Sequence, residues 1–72
     1  MQIHLNGEAY DLEAAPGSDG PPALADLVAA LDLEGRRLAI EVNGELVPRS
    51  EHASFRLSPG DRVEIVQAIG GG

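Results

Sequence analysis

The chain closes on three glycines, Gly70-Gly71-Gly72, and this ending offers chemistry that no side chain in the sequence matches. Glycine averages about 7% of residues, so such an ending arises by chance about once in three thousand chains. A run without Cβ atoms can extend through a narrow slot and set its terminal carboxylate against a reagent that side chains would block. That carboxylate is inert toward nucleophiles until another protein activates it, for example as an acyl adenylate. The competing reading is a flexible glycine end with no chemistry of its own.

Elsewhere the reactive inventory is sparse. His4 and His52 are the only histidines, and neither has a cysteine or a paired acidic motif at metal-ligand spacing, so no metal site and no acid-base catalyst are expected. His4 falls on the polar phase of an alternating segment, which reads as a surface histidine. The chain has no cysteine and no lysine, which excludes disulfides, a thiol nucleophile, a Schiff-base lysine and the phosphate-loop lysine. All five basic residues are arginines, a usage that reads as codon bias. Twelve acidic residues bring the formal charge to -7, which repels phosphate backbones. With Tyr10 and Phe55 as the only aromatics, a base-stacking platform is also excluded, and no nucleic-acid partner is expected. Seventy-two residues allow one small domain, residues 1–72, too small for an enzyme with two lobes around a cleft. No apolar run approaches the ~18 residues of a membrane span, and Met1 to Asn6 lacks a signal-peptide plan, so the expected location is the cytoplasm.

The elements that must position the ending follow from periodicity. Ile3 and Leu5 alternate with polar neighbours and meet Asn6-Gly7, the signature of a tight hairpin leading to a second strand from Glu8 to about Glu13. Ala15 to Pro22 concentrates proline and glycine as a loop. Leu24, Leu27, Val28 and Leu31 form one apolar stripe at helical spacing, which predicts a helix from about Pro22 to Asp32, with Gly35 at its stop or in the turn beyond. Leu38, Ile40 and Val42 alternate as a third strand ending at Asn43-Gly44, and Leu46 and Val47 begin a short return strand limited by Pro48. Arg49 to Leu57 has no clear period and reads as a helical turn or irregular crossing. Ser58-Pro59-Gly60-Asp61 is a type II turn into a last strand from Arg62 to about Ala68. The expected fold is α+β, a mixed sheet of four to five strands with one main helix packed on one face.

This order of elements with its glycine end resembles the ubiquitin-like β-grasp family over the whole chain. Within it, Asn43, Val47-Pro48-Arg49, Gly60-Asp61 and the terminal Gly71-Gly72 resemble the ThiS family of bacterial sulfur carriers for thiamine thiazole synthesis. The Pro- and Gly-rich stretch from Ala15 to Pro22 is longer than that family leads one to expect. The resemblance implies a noncatalytic carrier with a flexible tail over residues 69–72. An adenylating enzyme (ThiF-like) would use MgATP to activate Gly72, with Gly70 and Gly71 needed for entry. A cysteine desulfurase or other persulfide donor would supply sulfur to give a thiocarboxylate, and a thiazole synthase (ThiG-like) would accept it. The carrier itself would bind no cofactor. Other members of the fold leave alternatives: a sulfur carrier for tRNA thiolation or molybdopterin synthesis, or a ubiquitin-like protein modifier. Strand phase suggests the docking surface. If Val63 and Ile65 face the helix, Val66 and Ala68 lie on the open face beside His4, and with Ile69 they form a candidate partner surface.

Overall fold

The computed structural model describes residues 1–67. Five strands, β1 (Gln2–Leu5), β2 (Glu8–Asp11), β3 (Leu38–Val42), β4 (Glu45–Leu46) and β5 (Arg62–Gln67), form one sheet in the order β2-β1-β5-β3-β4. The last strand in sequence is therefore central, parallel to β1 and antiparallel to β3. Both hairpins turn on Asn-Gly pairs with positive φ at each residue, 49° and 85° at Asn6-Gly7 and 53° and 86° at Asn43-Gly44. Those angles match the two-residue turns whose twist suits antiparallel strands.

One face of the sheet is covered by the helix α1 (Leu24–Ala30) and by the crossing that contains a 3-10 turn at Arg49–Glu51. Ile3, Ile40, Val42 and Val63 point inward from alternate strand positions and meet Leu24, Leu27 and Val28 of the helix, with Leu12, Val47 and Leu57 closing the sides. The core is thus aliphatic, with Tyr10 and Phe55 only packed against its margin. No side chain among the described residues buries a polar or charged group.

The helix is shorter than the periodicity predicts, seven residues instead of about eleven, and both ends have a physical cause. Pro22 and Ala23 stay outside the helix because they pair with the crossing: the Leu57 amide donates to the Pro22 carbonyl at 2.8 Å, and Ala23, extended, bridges Arg56. The same crossing satisfies the free amides of the first turn, since Leu24 and Ala25 donate to the Phe55 and His52 carbonyls at 2.8 and 2.9 Å. Asp26 reaches back to accept the Ala23 amide at 2.8 Å, half of a capping box. At the other end Asp32 takes a left-handed conformation, φ 57°, and Leu33 donates to the Val28 carbonyl at 3.0 Å. An aspartate therefore terminates the helix where glycine is usual, and Gly35 serves the turn beyond. Strand β4 is held to two residues, yet Val47 past its end is buried and donates to the Ile40 carbonyl at 2.9 Å.

Candidate functional site

Because the glycine ending follows β5, what fixes β5 fixes where that ending starts. Two turn asparagines hold it from its first residue to its middle. Asn43 donates its amide to the Arg62 carbonyl at 2.7 Å, and its Oδ1 accepts the Arg62 amide at 2.9 Å. Its Nδ2 donates to Asp61 Oδ1 at 3.0 Å, while the other oxygen of Asp61 accepts the Ser58 amide at 2.8 Å. From the opposite flank Asn6 donates to the Val63 carbonyl and its Oδ1 accepts the Ile65 amide, both at 2.9 Å. Each asparagine thus does two jobs, taking the left-handed turn angle and extending the backbone ladder with its side chain. Sequence reasoning found the first job from the Asn-Gly pairs; the second depends on which strand lies beside the turn, and it was missed.

Neighbouring strands place the open face in rows. Among the described residues Val66 and Leu46 are the two large apolar side chains most given to solvent, 63% and 66% exposed. Val66 stands opposite Ala39, and in the next row Glu64, Glu41 and Leu46 lie side by side across β5, β3 and β4. Two carboxylates directly opposite each other on adjacent strands oppose pairing. Strands β1 and β5 are neighbours and His4 shares the face of Val66, as expected, but His4 pairs with Arg62 and not with Val66. Four residues of strand, about 13 Å, separate them. His4 therefore lies beside Arg62 and Glu64 at the far end, and the apolar patch runs toward Leu46, a residue that strand phase alone did not single out.

Gln67, the last described residue, pairs with Leu38, so the described part of β5 stops at the end of the sheet where β3 begins. The candidate residues Ala68, Ile69, Gly70, Gly71 and Gly72 lie outside the described residues. Among the described residues no three or more His, Asp or Glu side chains gather closely enough to hold a metal ion. His52, half-buried in the crossing, has its Nε2 3.1 Å from the Val47 carbonyl, a structural contact. Among the described residues no helix is long and apolar enough to cross a membrane.

A helix laid across one face of a mixed sheet, with the final strand at the sheet's centre, defines a β-grasp domain. Sequence comparison narrows this: the ThiS family profile matches residues 3–72, and the chain belongs to the ThiS family. The crystal structure of the thiamine biosynthesis protein ThiS from Geobacter metallireducens superposes with a TM-score of 0.75 at 26% identity, covering all of both chains. Among curated proteins, a thiazole synthase of Paramagnetospirillum magneticum is 35% identical over all 72 residues, and another of Magnetococcus marinus matches equally. The chain spans 20% of the length of each of these two proteins. An uncharacterized protein, ycf40 of Porphyra purpurea, is 33% identical and is covered over 93% of its length.

Proposed function

We propose that the chain is a sulfur carrier of thiamine biosynthesis and that its working group is the Gly72 carboxylate. The observation that supports this most directly is the family match, which runs through residue 72 and so includes Gly70, Gly71 and Gly72. The domain is the handle and residues 69–72 are the part that enters a partner. The carboxylate oxygen attacks the α-phosphorus of ATP in a ThiF-like enzyme, pyrophosphate leaves, and an acyl adenylate forms. The terminal sulfur of a persulfide, from a cysteine desulfurase or another donor, then attacks the acyl carbon and AMP leaves. A thiol next takes the donor's sulfur into a disulfide and frees the thiocarboxylate. A chain with no cysteine cannot divert that sulfur to a thiol of its own. The carrier is not itself an enzyme, binds no cofactor, and works in the cytoplasm.

The acceptor is a ThiG-like thiazole synthase. Support comes from the two relatives named thiazole synthase, in which a segment like this whole chain is part of a longer protein. The open face around Val66 and Leu46 is the docking surface. Its Glu41 and Glu64 oppose each other at a cost to the fold that contact with a basic partner surface would repay.

Intact-mass measurement tests the reading. The protein is incubated with ATP, Mg²⁺, a persulfide donor and a ThiF-like enzyme. The expected product gains the mass of one sulfur for one oxygen, and deletion of Gly71-Gly72 abolishes the gain. Covalent adducts to other proteins, or no change with a demonstrably active enzyme, would reject it.

A further inference from the structure

In a chain of charge -7, three of the five arginines gather at one end of the sheet, and it is the end from which the glycine segment departs. Arg36 and Arg37 immediately precede β3, whose first residue Leu38 pairs with Gln67, the last described residue of β5. Arg49 reaches the same place from the crossing: its Nη2 donates to the Arg36 carbonyl at 3.4 Å, and both side chains line one hollow beside Leu38. All three are exposed. Glu34 lies close to Arg49 on an adjoining hollow, yet among the described residues the only ion pair within 4.0 Å joins the amino terminus to Asp11. The other two arginines are differently employed. Arg56 donates to the Pro21 carbonyl at 2.8 Å, and Arg62 sits on the open face beside Glu64.

We propose that Arg36 and Arg37, with Arg49 behind them, dock on an acidic protein rim around the slot of the partner that receives the glycine segment. The inference rests on the carrier reading and adds to it a second contact of opposite sign. An acidic body meeting a basic surface through Glu41 and Glu64 is free to slide along it. A basic collar at the root of the tail, matched to acidic side chains at the slot's mouth, fixes register and speeds productive encounter. Nucleotide phosphate is the other anion these guanidiniums could meet. Five extended residues place Gly72 up to about 17 Å beyond Gln67. A nucleotide that reacts with Gly72 therefore lies deeper than side chains rooted at the start of β3 reach, which favours the protein rim.

The test measures adenylation by a ThiF-like enzyme with the native-ended carrier, R36Q/R37Q, R36K/R37K and A14E/A15E. The first and last of these variants each lower the net charge by two, one at the collar and one in the distant loop. R36Q/R37Q is expected to raise the KM for the carrier about five- to ten-fold with kcat unchanged, and to flatten its dependence on salt. The lysine pair and the A14E/A15E control are expected to stay within about two-fold of the parent. Equal effects from R36Q/R37Q and A14E/A15E would mean that only total charge matters, and a rise in the KM for ATP would assign the arginines to the nucleotide; either overturns the proposal, as does an unchanged KM for the carrier. A parent protein that is never adenylated would instead bring down the carrier reading on which the proposal stands.

Discussion

Replacing Asn43 separates the two jobs assigned to it. Asn43→Ala removes the hydrogen bonds to the Arg62 amide and to Asp61, each worth about 0.5–1 kcal/mol at an exposed site. It also forces a Cβ-bearing residue without a local polar partner to hold φ 53°, for roughly a further 1 kcal/mol. The sum is about 2–3 kcal/mol. A domain of this length has a total stability of about 4–11 kcal/mol, so the loss is a large share of it and lowers Tm by on the order of 10–20 °C. Asn43→Gly restores the backbone angle and loses only the side-chain bonds, so it should fall between, about 1–2 kcal/mol below the parent. Urea unfolding of the three proteins gives the free energies. Hydrogen exchange gives the location: the Arg62 amide should lose protection in both variants more than the Ile65 amide, which Asn6 holds. If Asn43→Gly matched the parent, the side-chain clamp would contribute nothing; if it matched Asn43→Ala, the turn conformation would not be the constraint.

Leu27→Ala, at a fully buried helix position, should cost about 2–5 kcal/mol in urea unfolding and leave the domain largely unfolded on warming. Val66→Asp should change stability by no more than about 0.5 kcal/mol, because the side chain is mostly exposed, and under the proposed carrier function it should weaken binding to a ThiF-like enzyme in a titration. Glu64→Gln should raise stability by about 0.2–0.5 kcal/mol by relieving the repulsion with Glu41, and added salt should narrow the difference from the parent. Asp32→Gly should stabilise by about 0.5–1 kcal/mol, since glycine holds the left-handed angle without strain and removes a carboxylate from a helix C-terminus; a lower Tm would show that the Asp32 side chain contributes to the cap.

Strand phases and both hairpin turns were legible because each is a local signal: the alternation of Ile3 with Leu5 or Leu38 with Ile40, and the Asn-Gly pairs, need only neighbours in the chain. The helix was found but overextended, because Pro22 and Ala23 suit a first turn until the crossing at 55–57 pairs with them. The neighbourhood of His4 and Val66 went wrong for a similar reason. Phase put both on the open face, but only the register of β1 on β5 sets the spacing between them. Leu46 and the Glu41 and Glu64 pair are likewise products of register. In the sequence Arg36, Arg37 and Arg49 are three of five scattered arginines, and only the pairing of Leu38 with Gln67 and the contact of Arg49 with the Arg36 carbonyl bring them to the end of β5.

The central position of β5 has a mechanical consequence. A force drawn on Gln67 along the axis of β5 runs parallel to the strands and across the hydrogen bonds that join β5 to β1 and β3. Bonds loaded in this way share the force and must yield together, whereas an edge strand peeled from its end gives them up one at a time. Force applied beyond Gln67 is therefore carried by both ladders of β5 at once.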